Sequence, residues 1–143
     1  RHLNIWQGDS RDNFQAVPVQ SIITSPLSVR GLALSNQGDI IAIAYQSGQI
    51  ELRRRNGSLA QTLEANGGIR GVAFSPDGQQ VISGGSDGTV KIWRRDKLGR
   101  FPRHSDQSLV GHQTAVYAVS FNPQGNLIAS GSADQTIKLW RLN

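Results

Sequence analysis

His112, Ser130 and Asp134 supply the side-chain types of a nucleophilic triad: an imidazole base, a hydroxyl, and a carboxylate that could orient the ring. Part of the same set recurs one repeat earlier as Ser83 and Asp87, and each set is followed by an indole, Trp93 or Trp140. A reaction needs its triad once. A recurring one reads instead as a bracket that ties loop to strand and satisfies buried polar groups. His2 and His104 stand far from His112 in the pattern, so no spaced His pair offers a metal site. With no cysteine, thiolate chemistry and disulfides are excluded, and a reducing compartment such as the cytoplasm fits. Gly84-Gly85 and Gly131 punctuate hairpins, and no Gly-rich loop runs into Lys-Ser or Lys-Thr as a phosphate cradle would. The expectation is a non-enzyme without cofactor or metal.

The elements that position these residues come from repetition. VRGLALSNQGDIIAIAYQSGQIELRRR (Val29 to Arg55), IRGVAFSPDGQQVISGGSDGTVKIWRR (Ile69 to Arg95) and VYAVSFNPQGNLIASGSADQTIKLWRL (Val116 to Leu142) are variants of one pattern. Such self-similarity marks stacked supersecondary units, none able to bury its apolar face alone. Within the second copy, alternating runs Ile69–Ser75, Gln80–Gly85 and Thr89–Arg95 are separated by Ser75-Pro76-Asp77-Gly78 and Ser86-Asp87-Gly88. Pro presets a turn and Gly accepts positive φ, so both breaks are hairpins. Weaker fourth runs follow at Leu59–Leu63 and Ser108–Val110. The pattern predicts an all-β chain of four short antiparallel strands per unit.

Gly111-His112, Asp134 and Leu139-Trp140-Arg141 in the third copy resemble the WD-repeat β-propeller family. So do Phe74-Ser75-Pro76-Asp77-Gly78, Ser83 to Gly88 and Ile92-Trp93 in the second. The resemblance covers nearly the whole chain and implies a partial propeller of four-stranded blades, its ring completed by other segments or by another copy. It also implies a structural tetrad of His112, Ser130 (or Ser132), Asp134 and Trp140. The second copy keeps Ser83, Asp87 and Trp93 but has Ala65 at the His position. The first has Ser25, Ser47 and Arg53 in place of His, Asp and Trp. The units expected are 1–28, the end of a preceding blade; 29–68, degenerate; 69–115; and 116–143, without an outer strand. Leu3-Asn4-Ile5-Trp6 matches Val90-Lys91-Ile92-Trp93, so residue 1 falls within a third strand, and Ser21–Thr24 reads as that blade's outer strand. Trp6 to Val29 and Trp93 to Val116 both span 23 residues, and Asp9 and Phe14 match Asp96 and Phe101 at an offset of 87. A duplicated two-blade unit with a long loop on every second blade explains this period. With no methionine and a start in mid-pattern, the chain reads as a piece of a longer protein.

Hydrophobic content of 37% and charged content of 17% suit a soluble β-protein rather than a charged disordered chain. No apolar run approaches the roughly 18–20 residues that span a bilayer, so no membrane partner is expected. The net charge of +5 favours acidic partners. Its placement is more telling, because the connection after each third strand leaves on one face of the array. Arg53, Arg54, Arg55, Arg94, Arg95, Lys97, Arg100, Arg103 and Arg141 fall there, with Phe101 as an apolar tip among them. Arginine beside an exposed aromatic has the composition of a recognition surface. The expected function is a non-catalytic protein–protein interaction scaffold or sensing module of a larger, bacterial-style regulatory protein. The rim near Ser25, Asn66 and Gln113 and the open ends of the array are further contact loci. The alternative is a structural module that closes a ring by homo-oligomerisation. A phosphate or nucleic acid backbone on the basic face is the weaker alternative, since a base-reading module and spare aromatics are lacking.

Overall fold

The computed structural model describes residues 2–9, 11, 18 and 20–142. All regular structure among them is β-strand. β1 (His2–Ile5) pairs antiparallel with β2 (Gln20–Ile23). A four-stranded meander follows: β3 (Val29–Leu34), β4 (Ile40–Tyr45), β5 (Gln49–Arg54) and β6 (Leu59–Glu64). A second comprises β7 (Ile69–Phe74), β8 (Gln80–Gly85), β9 (Thr89–Arg94) and β10 (Gln107–Val110). The last sheet is three-stranded: β11 (Val116–Phe121), β12 (Leu127–Ser132) and β13 (Ile137–Arg141). The molecule is thus all-β, a series of blades of a partial β-propeller. Phe14, invoked for the two-blade period, lies outside the described residues.

Turn chemistry sets the register. Gly38, Gly78 and Gly125 occupy the same place in the first hairpin of each blade with φ of 69°, 70° and 72°, a region that disfavours any Cβ. Before that glycine, Ser35 and Ser75 donate to Asp39 and Asp77 and accept from the amides of Ile40 and Gln80. Asn122 reproduces the acceptor role with its own side-chain oxygen, bonded by the Leu127 amide at 3.0 Å.

In the two four-stranded blades the second strands, β4 and β8, are sandwiched, and their burial is nearly continuous; β12 of the last sheet is buried only at alternate positions. Ile41, Ile43 and Tyr45 face β1–β2, against Ile22, Leu3 and Ile5. Ala42, Ala44, Ile50 and Leu52 look the other way, onto Val81 and Trp93 of the next blade. Ile82, Val90 and Ile92 then meet Val116, Ile128 and Trp140 of the last. Each such Ile or Val contributes roughly 1.5–3 kcal/mol by burial. Innermost strands press together closely: a Cβ on Gly71 would lie 2.7 Å from the Tyr117 carbonyl oxygen.

Candidate functional site

The third blade brings together His112, Ser130, Asp134 and Trp140. His112 Nδ1 lies 2.8 Å from Asp134 Oδ2, and Nε2 lies 2.8 Å from Ser130 Oγ. Trp140 Nε1 donates to the same Ser130 Oγ at 2.8 Å. Indole can only donate and carboxylate only accept, so the chain runs one way: Trp140 to Ser130 to His112 to Asp134. The neutral Nδ1–H tautomer satisfies every member. Ser130, not Ser132, is the tetrad hydroxyl; Ser132 Oγ donates to the Thr114 and Ala115 carbonyls and accepts from the Asp134 amide. The Thr136 hydroxyl, then the Gln113 amide and His112, hold the Asp134 carboxyl well below its usual range against the cost of burial.

The second blade uses its residues differently. Ser83 and Trp93 are buried, but among the described residues Ser83 Oγ and Trp93 Nε1 have no hydrogen-bond partner. Ala65 stands where the imidazole would be, itself buried. Asp87 turns to Lys91, whose Nζ lies 2.7 Å from Asp87 Oδ2 and 2.7 Å from Thr89 Oγ1. Burial opposes ionisation of Asp87, yet Lys91 and Thr89 outweigh it and lower its pKa. The first blade has a substitute that sequence reasoning missed. Tyr45 Oη donates to Glu51 Oε2 at 2.9 Å, and Arg53 Nε donates to the same oxygen at 2.8 Å. Burial and the neighbouring Glu51 push the Tyr45 phenol up to about 12. Loss of Trp and Asp at positions 53 and 47, beside a new Tyr and Glu, was the only signal.

This placement corrects the reading of Arg53 as an exposed contact. Strand alternation puts residue 53 on the side of Trp93 and Trp140, and its side chain, 17% exposed, is consumed by Glu51 and the Gly57 carbonyl. Phe101 is also corrected: it is 4% exposed and packed in the cluster with Trp93, Leu52 and Leu63. The long connection between β9 and β10 folds back along the preceding blade. Gln61 on β6 clasps Phe101 through both its amide oxygen and its amide nitrogen. Glu64 N donates to the Arg103 carbonyl at 2.7 Å, and Arg103 Nη2 meets Glu64 Oε1 at 2.6 Å. Arg95 stacks over the Phe101 ring at 4.7 Å and donates to the Gly78 and Gly99 carbonyls. The loop is a staple between two blades. Apolar burial outweighed display of its aromatic residue.

Besides Arg103, which is exposed elsewhere on the molecule, Arg54, Arg55, Arg94, Lys97, Arg100 and Arg141 remain exposed. They share one end of the array, because the residue after each third strand is tied to the first turn of its blade. Arg55 N donates to Asp39 O, Arg95 N to Gln79 O and Leu142 N to Asn126 O. Arg94 reaches Gln107, Arg55 reaches Gln7 and Arg54 reaches Ser58, none a carboxylate; Arg100 stands 3.6 Å from Asp96. A groove of about 830 Å³ opens here, walled by Ala60 and Gln61 on one side and by Arg94, Arg100 and Pro102 on the other. Arg103 lies at the far end of β6, beside Glu64.

A second row sits on the innermost strands. Each begins with a bulge that skips its second residue: Arg30, Arg70 and Tyr117. Bulges re-aim side chains. Arg30 bonds Gln46 Oε1, Arg70 Nε bonds Ser86 Oγ at 3.2 Å, and the Arg70 guanidinium lies 5.8 Å from the Tyr117 ring centre.

Comparison with known proteins agrees with this architecture. Residues 57–94 and 103–141 match the family described as WD domain, G-beta repeat. Each matched segment starts in or just before the outer strand of one blade and ends in the third strand of the next. Over 116 residues the chain is 32% identical to the APC/C activator protein CDC20 of Saccharomyces cerevisiae, covering 76% of this chain and 19% of that protein. It is 36% identical over 67 residues to WD repeat-containing protein slr1409 of Synechocystis, covering 46% of the chain and 21% of that protein. A U3 small nucleolar RNA-associated protein 18 homolog of Arabidopsis thaliana is 36% identical over 67 residues, 46% of the chain and 12% of that protein. The chain therefore spans about a fifth of the length of the first two relatives. With three tandem copies of the strand pattern and matched segments over more than half its length, this chain belongs to the WD40 repeat family.

Proposed function

We propose that the chain is a non-catalytic protein-interaction scaffold that docks an acidic partner on its strand-end face. One observation carries this reading: Arg54, Arg55, Arg94, Lys97, Arg100 and Arg141 stay exposed at one end of the array, where Arg94 and Arg100 wall a groove of about 830 Å³. Asp39, Asp77, Asp96 and Asp106 share the face, yet each is engaged locally: Asp39 and Asp77 by their turn serines, which lower their pKa values, Asp96 by Arg100 and the Leu98 amide, and Asp106 by the Arg94 amide. Family membership supports a scaffold, since the WD relatives include one whose name makes it the activator of another assembly. Catalysis by His112, Ser130 and Asp134 does not fit the geometry: Ser130 is 2% exposed and its oxygen is already held by Trp140 and His112.

The test is titration of a Glu-rich peptide against the chain by fluorescence anisotropy at low salt. The variant carrying Arg54→Glu, Arg55→Glu and Arg94→Glu should keep its fold, since all three are exposed, and lose at least about tenfold in affinity. Unchanged affinity refutes the strand-end face. The bulged row of Arg30, Arg70 and Tyr117 favours a second docking place at the innermost strands. There, Arg30→Glu with Arg70→Glu would abolish binding while the first variant would not.

A further inference from the structure

Two Asn-Gly pairs occur in the chain, Asn56-Gly57 and Asn66-Gly67. Each offers the same chemistry: the glycine nitrogen can attack the asparagine Cγ, because no Cβ on the second residue obstructs the approach. The fold holds the two pairs differently. Asn56-Gly57 lies in the turn between β5 and β6. There Gly57 N donates to the Arg54 carbonyl at 2.8 Å, and Asn56 Oδ1 accepts from Ser58 N at 3.0 Å and from Ser58 Oγ at 2.7 Å. The nucleophile is tied to Arg54 and the side chain is held over Ser58.

Asn66-Gly67 lies in the connection from β6 to β7, which is pinned on either side. Ala65 N donates to the Gly48 carbonyl at 2.8 Å, and Ser86 N donates to the Gly68 carbonyl at 2.7 Å. Between these pins, the Asn66 side chain, the Asn66 carbonyl and the Gly67 amide have no hydrogen-bond partner among the described residues. Asn66 is exposed, with φ of 53°. Left-handed backbone turns the next nitrogen away from Cγ, so attack requires the peptide plane between residues 66 and 67 to flip. Here the flip breaks no hydrogen bond, and glycine accepts the φ that results. At Asn56 the same movement forfeits the bond to Arg54.

We infer that Asn66 is a site of spontaneous deamidation in the folded chain, whereas Asn56 is protected by its turn. The Gly67 nitrogen gives its proton to solvent and bonds to Asn66 Cγ. The bond from Cγ to the side-chain nitrogen breaks, and ammonia leaves with a proton from water. Water then opens either carbonyl of the cyclic imide, leaving aspartate or isoaspartate at position 66. Both products add a carboxylate to the rim. At Gly68 the same connection passes between Gln46 and Ser86: a Cβ there would lie 3.0 Å from the Gln46 carbonyl oxygen and 3.0 Å from Ser86 Oγ. Gln46 and Ser86 are the partners of Arg30 and Arg70, so the modification lowers the positive charge around the bulged row. It stands apart from docking on the strand-end face, which lies at the opposite end of the blades.

Both sites fall in one tryptic peptide, residues 56–70, so each molecule carries its own control. The folded chain is held at mildly alkaline pH in heavy-oxygen water, which marks only carboxylates formed during that time. It is then digested in ordinary water and sequenced by mass spectrometry. Product at 66 should form at least about tenfold faster than at 56, since only Asn56 must give up one to two net hydrogen bonds. In urea that unfolds the chain, the two rates should converge. Gly67→Ala should suppress the product at 66 and leave 56 as it was. A Cβ at 67 meets nothing nearer than Asp87 Oδ2 at 3.8 Å, so this variant keeps the fold. A smaller ratio in the folded chain, a ratio that survives in urea, or product at 66 indifferent to Gly67→Ala would each overturn the inference.

Discussion

Replacing His112 by Ala removes the centre of the third-blade bracket, and its cost can be worked from the geometry. Ser130 is 2% exposed and its hydroxyl proton is directed at His112 Nε2, 2.8 Å away. Without the ring that buried donor has no acceptor, at a cost of about 1–3 kcal/mol. The imidazole is itself buried and lies edge-on to the Trp140 ring at 6.2 Å, so its removal also leaves unfilled space. A total near 3 kcal/mol is expected, with no credit taken for Asp134, which keeps Thr136 and the Gln113 amide. The fold should survive, because the second blade already has Ala65 at this place with Ser83 and Trp93 unpaired beneath it. The assay is urea denaturation followed by tryptophan emission. With a slope near 2 kcal/mol per molar, the midpoint should fall by about 1.5 M. A double-mutant cycle with Ser130→Ala should show coupling above about 0.5 kcal/mol, since the serine matters less once the ring is gone. A midpoint shift under about 0.3 M, or no coupling, would refute the bracket.

Further outcomes follow from the same contacts. Ala65→His should raise the urea midpoint, by the equivalent of about 1 kcal/mol, if the new ring reaches Ser83 and Trp93; a lower midpoint would mean that Lys91 and its neighbours leave no room. Phe101→Ala should cost about 3–4 kcal/mol and make the β9–β10 connection sensitive to protease, whereas Leu98→Ala should do neither. For Tyr45, whose folded pKa is raised to about 12, the stabilising neutral form is complete below pH 10 and lost as pH climbs towards 12. Absorbance at 295 nm should therefore show this phenol ionising only near the alkaline unfolding transition, and ionisation at about pH 10 in the folded chain would contradict its burial. Asp39, Asp77, Asp87, Asp96 and Asp134 all have lowered pKa values, so their contribution is present above about pH 4 and lost as pH falls further. Thermal midpoints should stay level from pH 7 to 5 and drop below 4; a drop already at pH 6 would exclude these carboxylates as the cause.

Strand positions were legible because period-two alternation and turn residues act locally. Asn122-Pro123-Gln124-Gly125 can form little else, and β8 and β12 begin two residues beyond such glycines. The tetrad was legible through its residue types, although only distances could choose Ser130 over Ser132. Phe101 and Arg53 misled for one shared reason. Sequence places a residue on a loop or strand, but whether its side chain turns inward depends on which partner the packed fold brings to it. For Phe101 that partner is Gln61, forty residues away, and for Arg53 it is the carboxylate of Glu51 together with Tyr45. The bulges that present Arg30, Arg70 and Tyr117 left no sequence mark beyond the small residues Gly31, Gly71 and Ala118 after them.

The matched segments and the sheets are out of phase: residues 57–94 carry β6 of one blade and β7 to β9 of the next, and 103–141 carry β10 and β11 to β13. Heredity and folding therefore use different units. A duplicated stretch of gene arrives already holding the rim of its neighbour, as each link of a chain passes through the one before. No copy can be gained without extending a sheet it does not own, and none can be deleted without stripping a strand from the blade upstream. Such an array lengthens or shortens in whole steps, and damage to one copy is felt at once in two blades.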